Sequence, residues 1–336
     1  MGQRTNEPNL WEKVKQGKKT KYYKRSKWLS RIASLIILIV LLLLGKSYWD
    51  SHDFNSYLQN AVGNNVIVEN AITQDITNTV ENQAEVDGNL RVYYLDVGQA
   101  DSILVMDKDK TMLIDAGTNE AGDTVVNFLK EKGITRIDYL VGTHPHEDHI
   151  GGLDDVINNF DIGTIYMPKM QTTTKTFEDV LDAISNKGLQ VTTPVAGDAF
   201  KLTNATCTIM ATDTEDTEDN LNLSSIVIRM TYGGNSFLFM GDAEEEVEAS
   251  RSWLPSDVLK VGHHGSKTSS SQTFINQVMP AYAIIQVGKD NSYNLPNQET
   301  IDKLEAIGTK IYRTDKDGNI LVISDGTNIQ VQTNVK

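Results

Sequence analysis

From residue 89 onward the apolar positions come in short runs separated by Gly, Asn and Asp, the rhythm of strands and turns. Residues 91–96, 102–106 and 111–115 predict three strands joined by tight turns. Residues 124–132 predict a helix stopped by Gly133, and 137–142 a buried strand. Further strands are predicted at 164–167, 207–211, 226–232, 236–240, 258–262, 283–287, 310–312 and 320–323, with helices at 177–186, 244–251, 271–277 and 299–307. No repeat of fixed period is visible. Two groups of strands with helices between them, and no sustained strand-helix-strand rhythm, predict an α/β (α+β) fold of layered sheets covered by helices.

Ahead of this region the pattern changes twice. Residues 32–45 are uncharged and mostly aliphatic, lying between Arg31 and Lys46, with Trp28 before them and Tyr48 and Trp49 after. Fourteen helical residues cover about 21 Å, short of the roughly 30 Å hydrocarbon core. Snorkelling of Arg31 and Lys46 and the flanking aromatic belts extend the span to 28–49. No small-x-small cleavage pattern follows, since the next residues are Lys46-Ser47-Tyr48-Trp49-Asp50, which favours a retained signal anchor over a cleaved signal. Residues 50–88, rich in Asn, Thr, Gln and Glu, read as a stalk or linker, with packing as an extra helix on the domain as the alternative. The expected organisation is a basic tail (1–27), an anchor (28–49), a stalk (50–88) and a folded domain (89–336).

Charge divides along the same line. Residues 1–50 hold eleven Lys and Arg against Glu7, Glu12 and Asp50, a balance of +8, and the remaining 286 residues hold 20 basic and 42 acidic side chains, a balance of −22. Basic residues before the span put the tail in the cytoplasm and the domain outside the cell membrane, as a single-pass protein. One span excludes a channel. Cys207 is the lone cysteine, so the domain has no internal disulfide and relies on its core.

The chemistry concentrates in Thr143-His144-Pro145-His146-Glu147-Asp148-His149-Ile150-Gly151-Gly152, which places three of the chain's six histidines and a carboxylate within six positions. His and Asp are the ligands that zinc-like ions take in hydrolytic sites, and this density has almost no packing explanation. His144 and His146, two apart in an extended loop, project to one side, Asp148 and His149 can face a second ion, and Gly151-Gly152 is expected to let the backbone turn sharply. A second element, Phe237-Leu-Phe-Met-Gly241-Asp242, ends an apolar strand in a carboxylate: either a bridge between metals or the N-cap of the following helix. The third, Lys260-Val-Gly-His263-His264-Gly265-Ser266-Lys267-Thr268, ends a strand in adjacent imidazoles, one able to bind metal while the other faces substrate. Its hydroxyls and Lys267 suit an anionic, phosphate-bearing substrate.

Together with residues 93–105 and 111–117, these elements resemble, in matching order over about residues 90–325, the metallo-β-lactamase fold superfamily, in the branch of the extracellular domain of competence protein ComEC and of surface phosphorylcholine esterases. The resemblance implies an αββα sandwich with two divalent ions, Zn²⁺ or Mn²⁺, in the cleft between its sheets. It implies His144 and His146 for the first ion, Asp148, His149 and one of His263 or His264 for the second, and Asp242 as the bridge. His264 is favoured as ligand and His263 as the substrate-facing or acid/base residue. Asp148, Asp242 and His263 are the candidate catalytic residues, Asp115 and Asp96 the residues expected to orient ligands, and Asp101 and Gln99 lie along the same edge. Ser266, Lys267, Asn222, Ser225, Asn291 and Tyr293 are the candidate substrate contacts.

Two departures stand out. No histidine lies between His149 and His263, so the superfamily's middle His has no counterpart and Asn222-Leu-Ser-Ser225 fills its place. Leu295 precedes Pro296 where relatives often carry His. The expected function is metal-dependent hydrolysis of phosphoesters outside the cell, as a nuclease or phosphodiesterase, with DNA or a cell-wall polymer as the anionic partner. A balance of −22 weighs against an extended nucleic-acid surface, which leaves a phosphorylcholine or wall-polymer esterase as the rival. The alternative of another class is a non-catalytic DNA-uptake or surface-assembly subunit.

Overall fold

Alternation along the strands sorts apolar side chains onto two faces, and in this protein both faces are covered. A computed structural model describes residues 89–170, 172–212 and 220–336. The predicted tail, anchor and stalk lie outside the described residues, among which no helix is long and apolar enough to cross a membrane.

The strands are β1 (Leu90–Tyr94), β2 (Ile103–Asp107), β3 (Lys110–Ile114), β4 (Arg136–Val141), β5 (Asp161–Tyr166), β6 (Val191–Thr192), β7 (Ala199–Lys201), β8 (Thr206–Ala211), β9 (Val227–Tyr232), β10 (Asn235–Phe239), β11 (Val258–Lys260), β12 (Tyr282–Ile285), β13 (Lys310–Arg313), β14 (Ile320–Ser324) and β15 (Ile329–Gln332). One sheet runs β15-β14-β1-β2-β3-β4-β5-β6 and the other β13-β12-β11-β10-β9-β8-β7. β6, β7 and β15 carry no prediction from sequence, and all three are sheet edges. Edge strands here are short and partly exposed, so they lack the apolar runs that mark the inner strands.

Each sheet joins an antiparallel half to a parallel half. β3, β4, β5 and β6 are parallel neighbours in the first, as are β10, β11, β12 and β13 in the second. The strand-helix-strand rhythm missing from the sequence pattern is therefore present. It is confined to these halves and interrupted by hairpins, which hides it along the chain.

Three buried clusters define the layers. Leu90, Val92, Tyr94, Phe237 and Phe239 belong to the cluster between the sheets, shared by strands of both. The intervening Tyr93 and Leu95 pack outward with Val125, Leu129, Val156 and Val180 of the helices Gly122–Glu131, Leu153–Asn159 and Lys175–Asn186. Leu238 and Met240 pack outward on the other side with Phe274 and Leu304 of Gln272–Val278 and Gln298–Ala306. The result is helix, sheet, sheet, helix. Cys207 is free and buried in the central layer, where desolvation pushes its thiol well above the ordinary range.

Gly151 and Gly152 are required by proximity, not by turning. Gly151 has φ −56° and ψ −42°, and Gly152 φ −90° and ψ 5°, values open to most residues. A Cβ at Gly152 would instead sit 2.5 Å from the Ala116 carbonyl oxygen and 2.8 Å from Gly122 Cα, and one at Gly151 would meet the backbone of Thr118 and Asn119. The pair lets the metal-loop helix approach the segment after Asp115. Gly152→Ala is therefore expected to destabilise the domain by about 1–3 kcal/mol, the cost of overpacking. A urea midpoint equal to that of the parent chain would contradict this.

Candidate metal centre

Four strand ends deliver the site. β3 leads into Asp115 and its parallel neighbour β4 into Thr143 and His144, while β10 leads into Asp242 and its parallel neighbour β11 into the turn Gly262–Gly265. The short helix Glu147–Ile150 then carries Asp148 and His149 back over the same edge. Asp115, His263 and His264 all adopt left-handed backbone (φ 59°, 48° and 52°), which costs non-glycine residues about 1–3 kcal/mol each and tends to gather at functional sites. His263 and His264 thus occupy a tight turn and not the end of an extended strand.

Three imidazoles are held by Nδ1 and present Nε2. His149 Nδ1 lies 2.8 Å from Asp115 Oδ2, which fixes the proton on Nδ1. His264 Nδ1 donates to the Gln286 carbonyl at 2.9 Å. Thr143 Oγ1 donates to Asp115 Oδ2 at 2.8 Å, so it accepts from His144 Nδ1 at 3.2 Å, with Ser225 Oγ a further acceptor at 3.4 Å. Holding one ring nitrogen by an acceptor and freeing the other is how metal-binding histidines are oriented.

The freed atoms converge. Ligand atoms of Asp148, His149, Asp242 and His264 all lie within 4.8 Å of one another. His264 Nε2 is 3.1 Å from Asp148 Oδ2 and 3.6 Å from Asp242 Oδ2, and His149 Nε2 is 3.3 Å from Asp242 Oδ2. His144 Nε2 and His146 Nδ1 approach to 3.0 Å, where two nitrogens bound to one ion at tetrahedral angles stand about 3.3 Å apart. His149 Nε2 and Asp242 Oδ1 are buried without a hydrogen-bond partner, a state that a cation would relieve. Nitrogen and carboxylate donors in this number fit divalent metal. Glu244, not Asp242, occupies the cap position of Glu245–Ala249, so Asp242 is not the N-cap of that helix.

Electrostatics point the same way. Burial opposes charge on His149, but Asp242, Asp148 and Asp115 outweigh it and raise its pKa well above the ordinary value. Burial likewise opposes charge on His264, where Asp242 and Asp101 prevail and push the pKa up to about 10. Against its own burial, Asp242 is held well below the carboxylate range by His149 and His264. His144 and His146 are lowered mainly by burial, which keeps both rings neutral and their lone pairs available.

The other residues singled out from sequence fall in different places. Asp96 is exposed, and among the described residues its carboxylate accepts from the Gly98 amide and meets none of the ligands, which corrects its expected role. Asn291 spends its amide inside its own loop, donating to the Gly288 and Leu295 carbonyls and accepting from Tyr293 and Leu295 amides. Ser225 accepts from the Asp242 amide at 3.1 Å and touches His144, which makes it a support for ligands. Ser266 is buried against Thr268, Lys267 is exposed, and Tyr293 is 70 % exposed. Asn222 is buried beside Glu244.

Asp101, Lys260 and Glu244 complete the site. Lys260 is fully buried, its Nζ 2.6 Å from Asp101 Oδ2, and Asp101 Oδ1 lies 3.3 Å from His264 Nδ1. Burial raises the Asp101 pKa, but Lys260 and then His264 hold it below its ordinary value. A lysine inside the apolar run Val258-Leu-Lys-Val261 is itself a signal, since a buried ammonium needs a partner. Glu244 accepts from Asn220, Asn222 and Thr268 and lies 3.0 Å from His263 Nδ1, and these bonds outweigh burial and lower its pKa to about 2.

ComE operon protein 3 of Bacillus subtilis (strain 168) is 32% identical over 248 residues, which cover 67% of this chain and 32% of that protein. Competence protein ComA of Neisseria gonorrhoeae is 32% identical over 229 residues, 66% of this chain and 30% of its own length. The chain thus spans about a third of the length of these relatives. The solved metallo-beta-lactamase fold protein YhfI from Bacillus subtilis is 12% identical with a TM-score of 0.47, covering 71% of this chain and all of that one. The sequence profile described as "Metallo-beta-lactamase superfamily" matches residues 95–289, more than half of the chain, and the chain belongs to that superfamily, with ComEC-like competence proteins among its relatives.

Proposed function

We propose that this chain is a membrane-anchored, extracellular, metal-dependent hydrolase that cleaves phosphoesters. The observation that carries the reading is the convergence of Asp148, His149, Asp242 and His264 beside the His144–His146 pair. His144, His146 and Asp242 would hold a first divalent ion, Zn²⁺ or Mn²⁺, and Asp148, His149, His264 and Asp242 a second. Such ions supply an activated water and a Lewis acid for the oxygen that gains charge.

The protein's own groups do the rest. Asp115, Gln286 and Thr143 fix ring orientation, while Lys260 and Asp101 hold the His264 side from behind. His263, 26% exposed at its side chain, has its Nδ1 tied to Glu244 and Thr268 and its Nε2 3.8 Å from Asp242 Oδ2. It is therefore the ring placed to hand a proton to a leaving oxygen. Lys267, exposed beside this turn, supplies the positive charge that a phosphate would meet.

Competence proteins among the relatives make DNA the first substrate to test. The acidic balance of residues 51–336 supports a second reading, a choline-phosphate or cell-wall polymer ester, which needs no extended basic surface. Hydrolysis of single-stranded DNA, a phosphocholine ester and bis(p-nitrophenyl) phosphate by the full-length chain, measured beside its metal content, separates them. Two equivalents of metal with turnover of no ester would instead indicate a binding subunit.

Asp242→Ala is expected to reduce turnover of bis(p-nitrophenyl) phosphate to background with the circular dichroism spectrum unchanged, and unaltered turnover would sink the reading. Chelation should lower the melting temperature, because saturation at about 100 times Kd adds about 2.7 kcal/mol, or roughly 5–10 °C for a domain of this size. Added Mn²⁺ or Zn²⁺ should restore it, and a melting curve indifferent to both would count against a metal centre. In intact spheroplasts, external protease should degrade residues 89–336. Protection until lysis would overturn the extracellular placement.

A further inference from the structure

The first ion of the proposed centre has two imidazoles, and among the described residues no third His, Cys, Asp or Glu groups with them as closely as the other four ligands group together. The place of the missing imidazole is taken by the 3₁₀ turn Leu221–Ser224, capped by Asn220, whose side chain accepts from the Asn222 amide. Ser225, next in the chain, touches His144, so this turn stands directly against the pair.

Asn222 is 93% buried, at 7% exposure, and its side chain is used on one side only. Nδ2 donates to Glu244 Oε1 at 3.2 Å. Glu244 is itself fixed by Asn220 Nδ2 at 2.7 Å and Thr268 Oγ1 at 2.8 Å, so it stays an ionised acceptor. Turning the amide over would set its oxygen against that carboxylate, which settles which end of Asn222 faces which way. Oδ1 therefore points away from Glu244, and it is buried with no hydrogen-bond partner. The Asn222 side chain also lies beside the His146 ring. A buried amide oxygen without a donor carries its full desolvation cost, and such an atom in a native fold calls for an ion or water.

We propose that Asn222 Oδ1 is a ligand of the first ion, an amide oxygen standing where the superfamily carries an imidazole. The first site would then be held by two nitrogens and one neutral oxygen beside the Asp242 carboxylate. Replacing an imidazole by an amide oxygen hardens the donor set and moves its preference from Zn²⁺ toward Mn²⁺. Glu244 becomes the residue that aims this ligand and holds His263, linking the two sides of the centre. The inference rests on the dinuclear reading above and specifies its weaker half.

The test is calorimetric titration of the metal-stripped full-length chain with Mn²⁺ and, separately, with Zn²⁺, with electron paramagnetic resonance of the Mn²⁺-loaded form. The parent chain should bind two equivalents of Mn²⁺ and show a spin-coupled pair. Asn222→Ala should weaken one equivalent at least about 10-fold, the lower end of losses seen for residues that only support ligands, and lose the coupled signal while keeping the other equivalent. Asn222→His should raise the Zn²⁺ to Mn²⁺ affinity ratio of the weaker equivalent. Unchanged affinities in Asn222→Ala, or an unchanged metal ratio in Asn222→His, would overturn the assignment while leaving the dinuclear reading intact. A parent chain that binds a single equivalent would overturn both.

Discussion

Negative charge forced out of water is the constraint around which this domain is arranged. Asp101, Asp115 and Asp242 are almost completely buried and Asp148 is partly so, around His149 and His264. Carboxylates in such a place are costly unless positive charge meets them. One meets Lys260, one receives the hydrogen bonds of Thr143 and His149, and two face imidazole nitrogens whose pKa they raise. The hydrogen-bond pattern at each Nδ1 follows from that requirement, because each ring must turn its other nitrogen toward the excess charge.

The fold meets the constraint by borrowing from both sheets. Parallel pairs end their strands at a common edge, and here one such pair in each sheet points its loops at the same place. Strands buried on both faces make those ends rigid, and the left-handed residues Asp115, His263 and His264 are held in place by the packing behind them. Strain of this kind survives only where surrounding contacts over-determine it.

Much of this was legible in the chain. Dense histidines at 144, 146 and 149, Asp242 at a strand mouth and the 263–264 pair all announce metal chemistry, because no packing rule assembles them otherwise. Inner strands were readable from apolar runs, whereas β6, β7 and β15 were not, since edge pairing depends on a neighbour distant in sequence. Asp96 and Asp101 could not be told apart by spacing, and only the fold sends the second inward to Lys260 and leaves the first in solvent. The Gly151-Gly152 pair looked like a turn signal and proves to be a clearance signal, a distinction that exists only once the segment at 116–122 is packed against it. Glu244 was invisible for the same reason: its partners Asn220, Asn222, His263 and Thr268 come from separate loops.

The pairing of β1 carries a directional consequence. Its last residues run into Leu95, whose carbonyl accepts from Gln286 Nε2, and the Gln286 backbone in turn holds His264, so the carboxyl end of β1 lies at the metal centre. Its first residue, Leu90, pairs with Ser324 about 17 Å earlier along the strand. The amino end of β1 therefore lies at the pole of its sheet away from the ligand-bearing loops. Along β1 the two ends of the sandwich thus differ in kind: one pairs backbone with β14, and the other reaches through Gln286 to the ring of His264.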